Sequence, residues 1–273
     1  KEFGVPLVYT ATDFWAMCPV VDFRRHDGAM CRGPELAHCV RCIASRHTGT
    51  RMKAIADRTP AAAIRLAGAL SSTPLAALSH QLRQIGALRE RPDYIRERMR
   101  LVDRIIVYTR LMRELLLANG IGEGKIVVSP YGIDTSRIAG LPPGDSEPPP
   151  LRVGFIGTLA PHKGCDILIR AFRMLPREMQ AELKIYGNLE RFKPFVRHLR
   201  RLAAGDRRIS FPGPFRREEV GRVLSGLDVL VVPSRWYENQ PGVILEAFAA
   251  RMPVVATDLG GMSEFVRHEE NGL

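Results

Sequence analysis

The chain has 273 residues, of which 45% are hydrophobic and 25% charged. That balance is ordinary for a folded globular protein, and the length suffices for one large core or two modest ones. No apolar run reaches the roughly 18 residues of a membrane-spanning helix. The formal net charge is +11, which favours phosphorylated or anionic partners. No aromatic-rich basic segment or nucleic-acid motif accompanies it, so nucleic acid is set aside as a partner. Solvated Arg on helix faces covers most of the excess.

In chain order, residues 5–11 read as a strand. The segment 12–50 reads as irregular and is rich in Cys, Gly, Pro and His. It carries Cys18, Cys31, Cys39 and Cys42, with His26 and His38 nearby; Cys165 stands apart and reads as core. Four thiolates suit a structural zinc ion. Disulfides, or small buried hydrophobes, are the alternatives. Helical patterns follow over 51–70 and 72–86, separated by Ser71-Ser72-Thr73-Pro74. The first could pack in its own domain or lie on a membrane surface. Arg104 to Thr109 is a predicted strand, Arg110 to Asn119 a helix ending at Gly120, and Lys125 to Ser129 a strand. Residues 139–150, with Pro142, Pro143, Pro148, Pro149 and Pro150, read as a stiff linker.

Beyond the linker, strands are expected at 151–157, 181–187, 208–211, 227–232 and 253–257. Helices are expected at 163–175, 190–204, 216–226 and 242–250. Such alternation argues a parallel sheet covered on both faces, with ligands at the carboxyl ends of its strands. The chain opens at Lys1 and stops at Asn271-Gly272-Leu273, so it reads as a fragment, and a missing signal peptide carries little weight.

The most informative stretch runs from Asp228 to Gly261. An apolar run, Val229 to Val232, closes at Pro233-Ser234. A loop with Trp236, Tyr237 and Glu238 then leads through Pro241-Gly242 into a helix that carries Glu246. The free N–H groups of that helix start are a seat for phosphate. A carboxylate on either side suits the hydroxyls of a sugar phosphate. The spacing Glu238-x7-Glu246, followed by Ala247-Phe248-Ala249, Pro253 to Thr257 and Gly260-Gly261, resembles the donor-site motif of retaining glycosyltransferases of family 4, which have the GT-B fold. Gly157 to Gly164 is similar to that family's glycine loop and phosphate lysine, with Thr158 where many members have Arg. Tyr131-Gly132-Ile133-Asp134 resembles its N-G-V-D turn. Thr10 to Trp15 resembles a stretch in which Thr12 stands where members often have a His that contacts the donor sugar.

The resemblance implies an α/β protein of GT-B type, with two Rossmann-like domains whose parallel sheets face a cleft. Its divisions would be an incomplete acceptor-side domain at 1–138 holding the cysteine loop 12–50, the linker 139–150, and a donor-binding domain at 151–273 truncated at its end. It implies transfer of a sugar from a nucleotide diphosphate sugar to an acceptor hydroxyl with retention, as in polysaccharide or glycolipid synthesis. The activity would be of the retaining hexosyltransferase type. Glu238 and Lys163 would be catalytic. Gly157, Thr158, Lys163, Glu238, Gly242, Val243, Ile244 and Glu246 would hold the donor, with Glu238 on the sugar, Glu246 on the ribose and Lys163 on the diphosphate. Gly187 and Gly213 would flank the base. No metal or cofactor is implied for the chemistry. The acceptor would be a sugar or lipid-linked chain, and the location cytoplasmic, with peripheral contact at the inner membrane surface. Two alternatives remain: a sugar-nucleotide-binding protein without turnover, which Thr12 favours, and a GT-B nucleotide-sugar epimerase. Asp13 either lines the cleft or caps the following turn.

Overall fold

A computed structural model describes residues 4–47, 50–74, 79–138 and 150–273. The chain divides into two compact units, Lys1–Pro130 and Tyr131–Leu273.

The first unit holds a parallel sheet of three strands in the order β1-β2-β3: β1 Val8–Ala11, β2 Arg104–Val107 and β3 Ile126–Val128. Ile105 and Val107 of the central strand are fully buried. Around the sheet lie α1 (Leu36–His47), α2 (Thr50–Arg58), α3 (Ala61–Leu70), α4 (His80–Arg100) and α5 (Arg110–Ala118). Buried Thr109 starts α5 by accepting a hydrogen bond from the Met112 N–H at 3.2 Å. Gly120, at φ +72°, follows the Asn119 cap in the left-handed conformation that glycine adopts without strain.

Three expectations for this unit change. The segment 12–50 is not irregular throughout, because α1 fills its second half. Glu35 begins that helix by accepting from the Ala37 and His38 N–H groups at 3.3 and 3.0 Å. The helix expected over 51–70 is broken at Pro60, whose ring removes a donor and restricts the residue before it. The helix expected over 72–86 is displaced: Ser72 and Thr73 turn back on Ala69 and Leu70. A new helix then starts at Ser79, whose hydroxyl accepts from the Leu82 N–H at 3.3 Å. That helix, α4, continues through Pro92 to Arg100. Its last turns hold mostly Arg and Glu, so hydrophobic periodicity does not reveal them.

The second unit is built on five parallel strands in the order β6-β5-β4-β7-β8. They are β4 Leu151–Ile156, β5 Ala181–Tyr186, β6 Ile209–Gly213, β7 Val229–Val232 and β8 Val254–Ala256. The helices are α6 (Cys165–Phe172), α7 (Lys193–Ala203), α8 (Val220–Ser225) and α9 (Gly242–Ala249), with single 3-10 turns at Pro161–Lys163 and Arg217–Glu219. The expected strand–helix alternation is therefore observed, with ends shifted by a few residues. One core joins Phe155, Leu183, Ile185, Ile169 and Leu199. The other joins Leu224, Leu230, Ile244, Ala247 and Met262. The strand order reverses between β4 and β7, and a crevice at such a switch point is where α/β sheets bind ligands.

Residues 131–138, read from sequence with the first domain, belong to the second unit. The physical reason is burial: Ile138 is 3% exposed and packs among Val220, Leu224, Leu227 and Ile244. Of the expected linker 139–150, residues 139–149 lie outside the described residues.

One pair ties the start of β4 to the approach to β7. Asp228 accepts from the Arg152 backbone N–H at 2.7 Å and from its guanidinium at 2.6 and 3.1 Å. Hydrogen bonding from Arg152 holds the Asp228 carboxyl below the usual carboxylate range, against a smaller desolvation effect. A depressed folded-state pKa contributes stability above the unfolded-state value, and that stability is lost as pH falls through the folded-state value. Urea-unfolding midpoints across the acid range should thus fall less steeply for Asp228→Asn than for the parent. Parallel pH profiles would contradict this linkage.

Candidate functional site

The carboxyl ends of β4 and β7 lie side by side, and their loops are locked together. After β4, the turn Pro161–Lys163 ends at Gly164, which has φ +71°. A Cβ there would lie 1.8 Å from the Pro233 carbonyl oxygen after β7. Only glycine permits both this conformation and this approach. Arg235 reinforces the junction: its backbone N–H donates to the His162 carbonyl at 2.7 Å, and its guanidinium to the Pro161 carbonyl at 2.5 and 3.2 Å. Its guanidinium also lies 3.5 Å from the buried carboxylate of Asp166 at the start of α6.

This junction brings Lys163 and Glu238 together. The Lys163 ammonium donates to Glu238 Oε1 at 2.6 Å, and the Ser234 hydroxyl donates to the same oxygen at 2.6 Å. The Glu238 side chain is 9% exposed and that of Lys163 24%. The ammonium also sits 5.0 Å from the Trp236 ring centroid, a cation–π distance, and the His162 ring lies 4.4 Å from Trp236 on centroids. Ser234 is 1% exposed. Burying a carboxylate requires such partners, because an unpaired buried charge is costly.

Glu238 leads directly into α9. Its carbonyl accepts from the Gly261 N–H at 2.7 Å. A Cβ on Gly260 would meet the backbone of Tyr237 and Glu238 at 2.9 and 3.0 Å. Both glycines of the Gly260-Gly261 pair therefore serve this loop. Gln240 fixes it from the other side. The Gln240 side chain accepts from the Tyr131 N–H at 3.0 Å and donates to the Tyr131 carbonyl at 2.8 Å, while the Tyr131 hydroxyl donates to the Gln240 carbonyl at 2.7 Å. The helix start that follows has no side-chain cap. Of its three expected donors, the Ile244 N–H is already given to the Pro241 carbonyl at 3.0 Å. The N–H groups left for an anion are therefore those of Gly242 and Val243, with Ile244 committed to the turn.

Glu246 lies one turn into α9 and is half-buried. Burial pushes its carboxyl above the usual range, and the opposing pull of Arg217 is smaller. The glycines expected to flank the base, Gly187 and Gly213, meet at neighbouring strand ends. The Gly157 N–H donates to the Tyr186 carbonyl at 3.1 Å, and the Gly187 N–H to the Gly213 carbonyl at 3.1 Å. A Cβ on Gly187 would lie 2.3 Å from the Gly157 oxygen. Thr158 lies in the same turn, its carbonyl accepting from the Ala160 N–H at 2.8 Å. Sequence reasoning missed Ser234, His162 and Gln240, and only the polarity of residues adjoining the motif hinted at them.

In the first unit, Asp13 takes the capping role: its Oδ1 accepts from the Trp15 N–H at 2.8 Å. Thr12 is exposed beside it, its N–H bonded to the Thr10 carbonyl at 3.1 Å. All five cysteines are free thiols. Cys18, Cys31, Cys39 and Cys42 line one small cavity, and burial pushes the Cys39 thiol up to about 12 and that of Cys42 up to about 11.

Residues 150–273 match the family model of glycosyl transferases group 1. An uncharacterized glycosyltransferase of Methanocaldococcus jannaschii is 33% identical over 119 residues, 44% of this chain and 30% of its own length. A D-inositol 3-phosphate glycosyltransferase of Pseudarthrobacter chlorophenolicus is 31% identical over 182 residues, 58% of this chain and 43% of its own. The chain thus spans less than half the length of these curated relatives. Among solved structures, Anabaena HepE in complex with UDP and glucose superposes with a TM-score of 0.59 at 21% identity, covering 71% of this chain and 61% of its own. Sucrose-phosphate synthase of Thermosynechococcus elongatus gives 0.56 at 26% identity, covering 68% of this chain and 48% of its own. These neighbours are GT-B glycosyltransferases, and the expected α/β class with parallel sheets is the one observed.

Gly164→Ala should open the loop junction. It adds about 1–2 kcal/mol of left-handed strain and a clash with Pro233. Gly124→Ala shares a positive φ of +68° but meets nothing within 4 Å, so it carries the strain alone. Thermal unfolding should rank Gly164→Ala well below Gly124→Ala; equal losses would contradict the packing role.

Proposed function

We propose that the chain is part of a retaining glycosyltransferase that binds a nucleotide diphosphate sugar and passes the sugar to an acceptor hydroxyl. The observation that carries this reading is the Lys163–Glu238 pair at the switch point, beside an uncapped helix start and Glu246. The UDP and glucose bound by HepE and the names of the curated relatives support it.

In this reading, Lys163 turns from Glu238 to the diphosphate, joining the Gly242 and Val243 N–H groups. It then stabilises the charge that develops as the sugar leaves, an electrostatic role. The same movement releases Glu238, still held by Ser234, to accept hydrogen bonds from sugar hydroxyls. Glu246 accepts from the ribose diol. No step calls for a metal. The acceptor is a lipid-linked or growing polysaccharide chain, a reading supported by the basic balance of the sequence and by the relative that bears the name amylovoran biosynthesis glycosyltransferase, of Erwinia amylovora. The protein then acts in the cytoplasm, with peripheral contact at the inner membrane surface. Among the described residues no helix is long and apolar enough to cross a membrane.

Calorimetric titration of the full-length protein separates the roles. Lys163→Ala should weaken a nucleoside diphosphate roughly tenfold to a hundredfold, the loss of a contact worth on the order of 1.5–3 kcal/mol, and leave the bare nucleoside almost untouched. Glu246→Ala should weaken both, with a smaller effect on a dideoxy analogue. Because burial raises the Glu246 pKa, nucleoside affinity should begin to fall at a pH above the ordinary carboxylate range. Wild-type diphosphate binding by Lys163→Ala would overturn the assignment.

Thr12 favours a second reading, a sugar-nucleotide-binding protein with impaired turnover. A panel of nucleotide sugars, with and without acceptors, distinguishes transfer, binding alone and donor epimerisation. If Thr12 limits transfer, Thr12→His raises the rate and leaves nucleotide affinity unchanged. An unchanged rate counts against that role.

A further inference from the structure

The cysteine segment sits in the first unit, within an element-poor stretch. Residues 12–35 form no helix and no ladder; one bridge, Arg24 to Met30, is the pairing recorded there. The stretch is anchored at one end by Phe14 stacked on the fully buried Phe23, with ring centroids 5.3 Å apart. That apolar anchor is more than the sequence suggested. Val21 and Phe23 nonetheless hold φ of +75° and +49°, conformations that a β-branched and a bulky residue keep only when their surroundings impose them.

Beyond the anchor, side chains from three places converge. Cys18 and Cys31 come from the loop, and Cys39 and Cys42 from successive turns of α1. All four, with His38, line a single cavity of about 10 Å3. That is roughly the space a single water-sized particle occupies, enough for one atom. An iron–sulfur cluster would need more room. Cys18, Cys39 and Cys42 are 7%, 9% and 6% exposed. The Nδ1 atom of His38 is buried and makes no hydrogen bond, an observation independent of the thiols and unusual for a buried polar atom.

We propose that Cys18, Cys31, Cys39 and Cys42 bind one structural zinc ion that fastens the loop to α1, with His38 at the rim of the site. Four cysteines lining one small cavity supply the ligand types of a structural zinc site. Among the described residues, no group of three or more His, Cys, Asp or Glu side chains is placed to hold a metal ion as it stands, so binding requires the cysteine side chains to move toward one another. Cys31 must also give up the hydrogen bond from its Sγ to the Gly33 carbonyl, now 3.1 Å long. No step of the proposed donor chemistry runs through this ion. Failure of the zinc assignment would leave the donor reading intact.

The test uses the full-length protein, purified in reducing buffer without chelator and analysed for metal by mass spectrometry. About one zinc per chain is expected. Cys39→Ser with Cys42→Ser should abolish it. Cys165→Ser, in the core of the other unit, should retain it. If the double variant does not fold, cobalt replaces it as the probe: cobalt added to the zinc-stripped parent should give the intense absorption of tetrahedral thiolate coordination. Less than about a tenth of an equivalent in zinc-supplemented protein, zinc retained by a folded double variant, or cobalt without a thiolate band would each overturn the proposal.

Discussion

The second unit depends on a charge pair taken largely out of water. Lys163 and Glu238 come from loops 75 residues apart in sequence and meet at 2.6 Å. Desolvating both groups is costly, and their attraction offsets the cost only when the remaining lone pairs are also satisfied. Ser234 supplies that second hydrogen bond, and the Trp236 ring faces the ammonium. The pair can exist only because β4 and β7 are neighbours in the sheet, which places their carboxyl ends in register. A shift of either loop would leave a buried carboxylate without its cation.

Several contacts that look unrelated in sequence make sense as supports for that pair. Gly164 lets one loop touch the other, Gly260 and Gly261 let the segment after β8 back onto Glu238, and Gln240 clasps Tyr131. The glycines bring backbone against backbone where a side chain would intervene, and the Gln240 amide binds the Tyr131 backbone directly. The clasp at Tyr131 also explains why the chain leading away from the first unit belongs physically to the second. Its polar backbone is satisfied by Gln240, and Ile138 is buried in the core under α8 and α9. A tyrosine at this turn adds a hydroxyl that reaches the Gln240 carbonyl, two residues before α9, a contact a shorter asparagine would have to make differently.

The first unit is organised by other means. Its three short strands give a modest sheet, and much of its packing is among helices α1 to α4. Arg91 illustrates how α4 holds the loop after β1: its guanidinium donates to the Trp15 and Ala16 carbonyls and lies 5.1 Å from the Trp15 ring centroid. Buried Asp22 pairs with Arg46 of α1 in the same way. Such long-range cation contacts satisfy loop carbonyls and carboxylates that no ladder reaches.

By itself the sequence determined the parallel α/β character of the second unit, since buried apolar runs alternate with amphipathic helices from Leu151 onward. It also determined that Lys163 and Glu238 lie in loops after strands and Glu246 in the helix that follows, because strand, loop and helix are local patterns. In the first unit, local signals served less well. Pro60 outweighed a continuous apolar period, and the charged end of α4 carried none. Tertiary structure alone decided that Lys163 and Glu238 pair, that Ile244 spends its N–H on Pro241, that residues 131–138 join the second unit, and that four cysteines from a loop and a helix ring one cavity. Each of these is a contact between residues remote in the chain or a choice of hydrogen-bond partner. Such choices follow from strand order and packing, which no local period or spacing encodes.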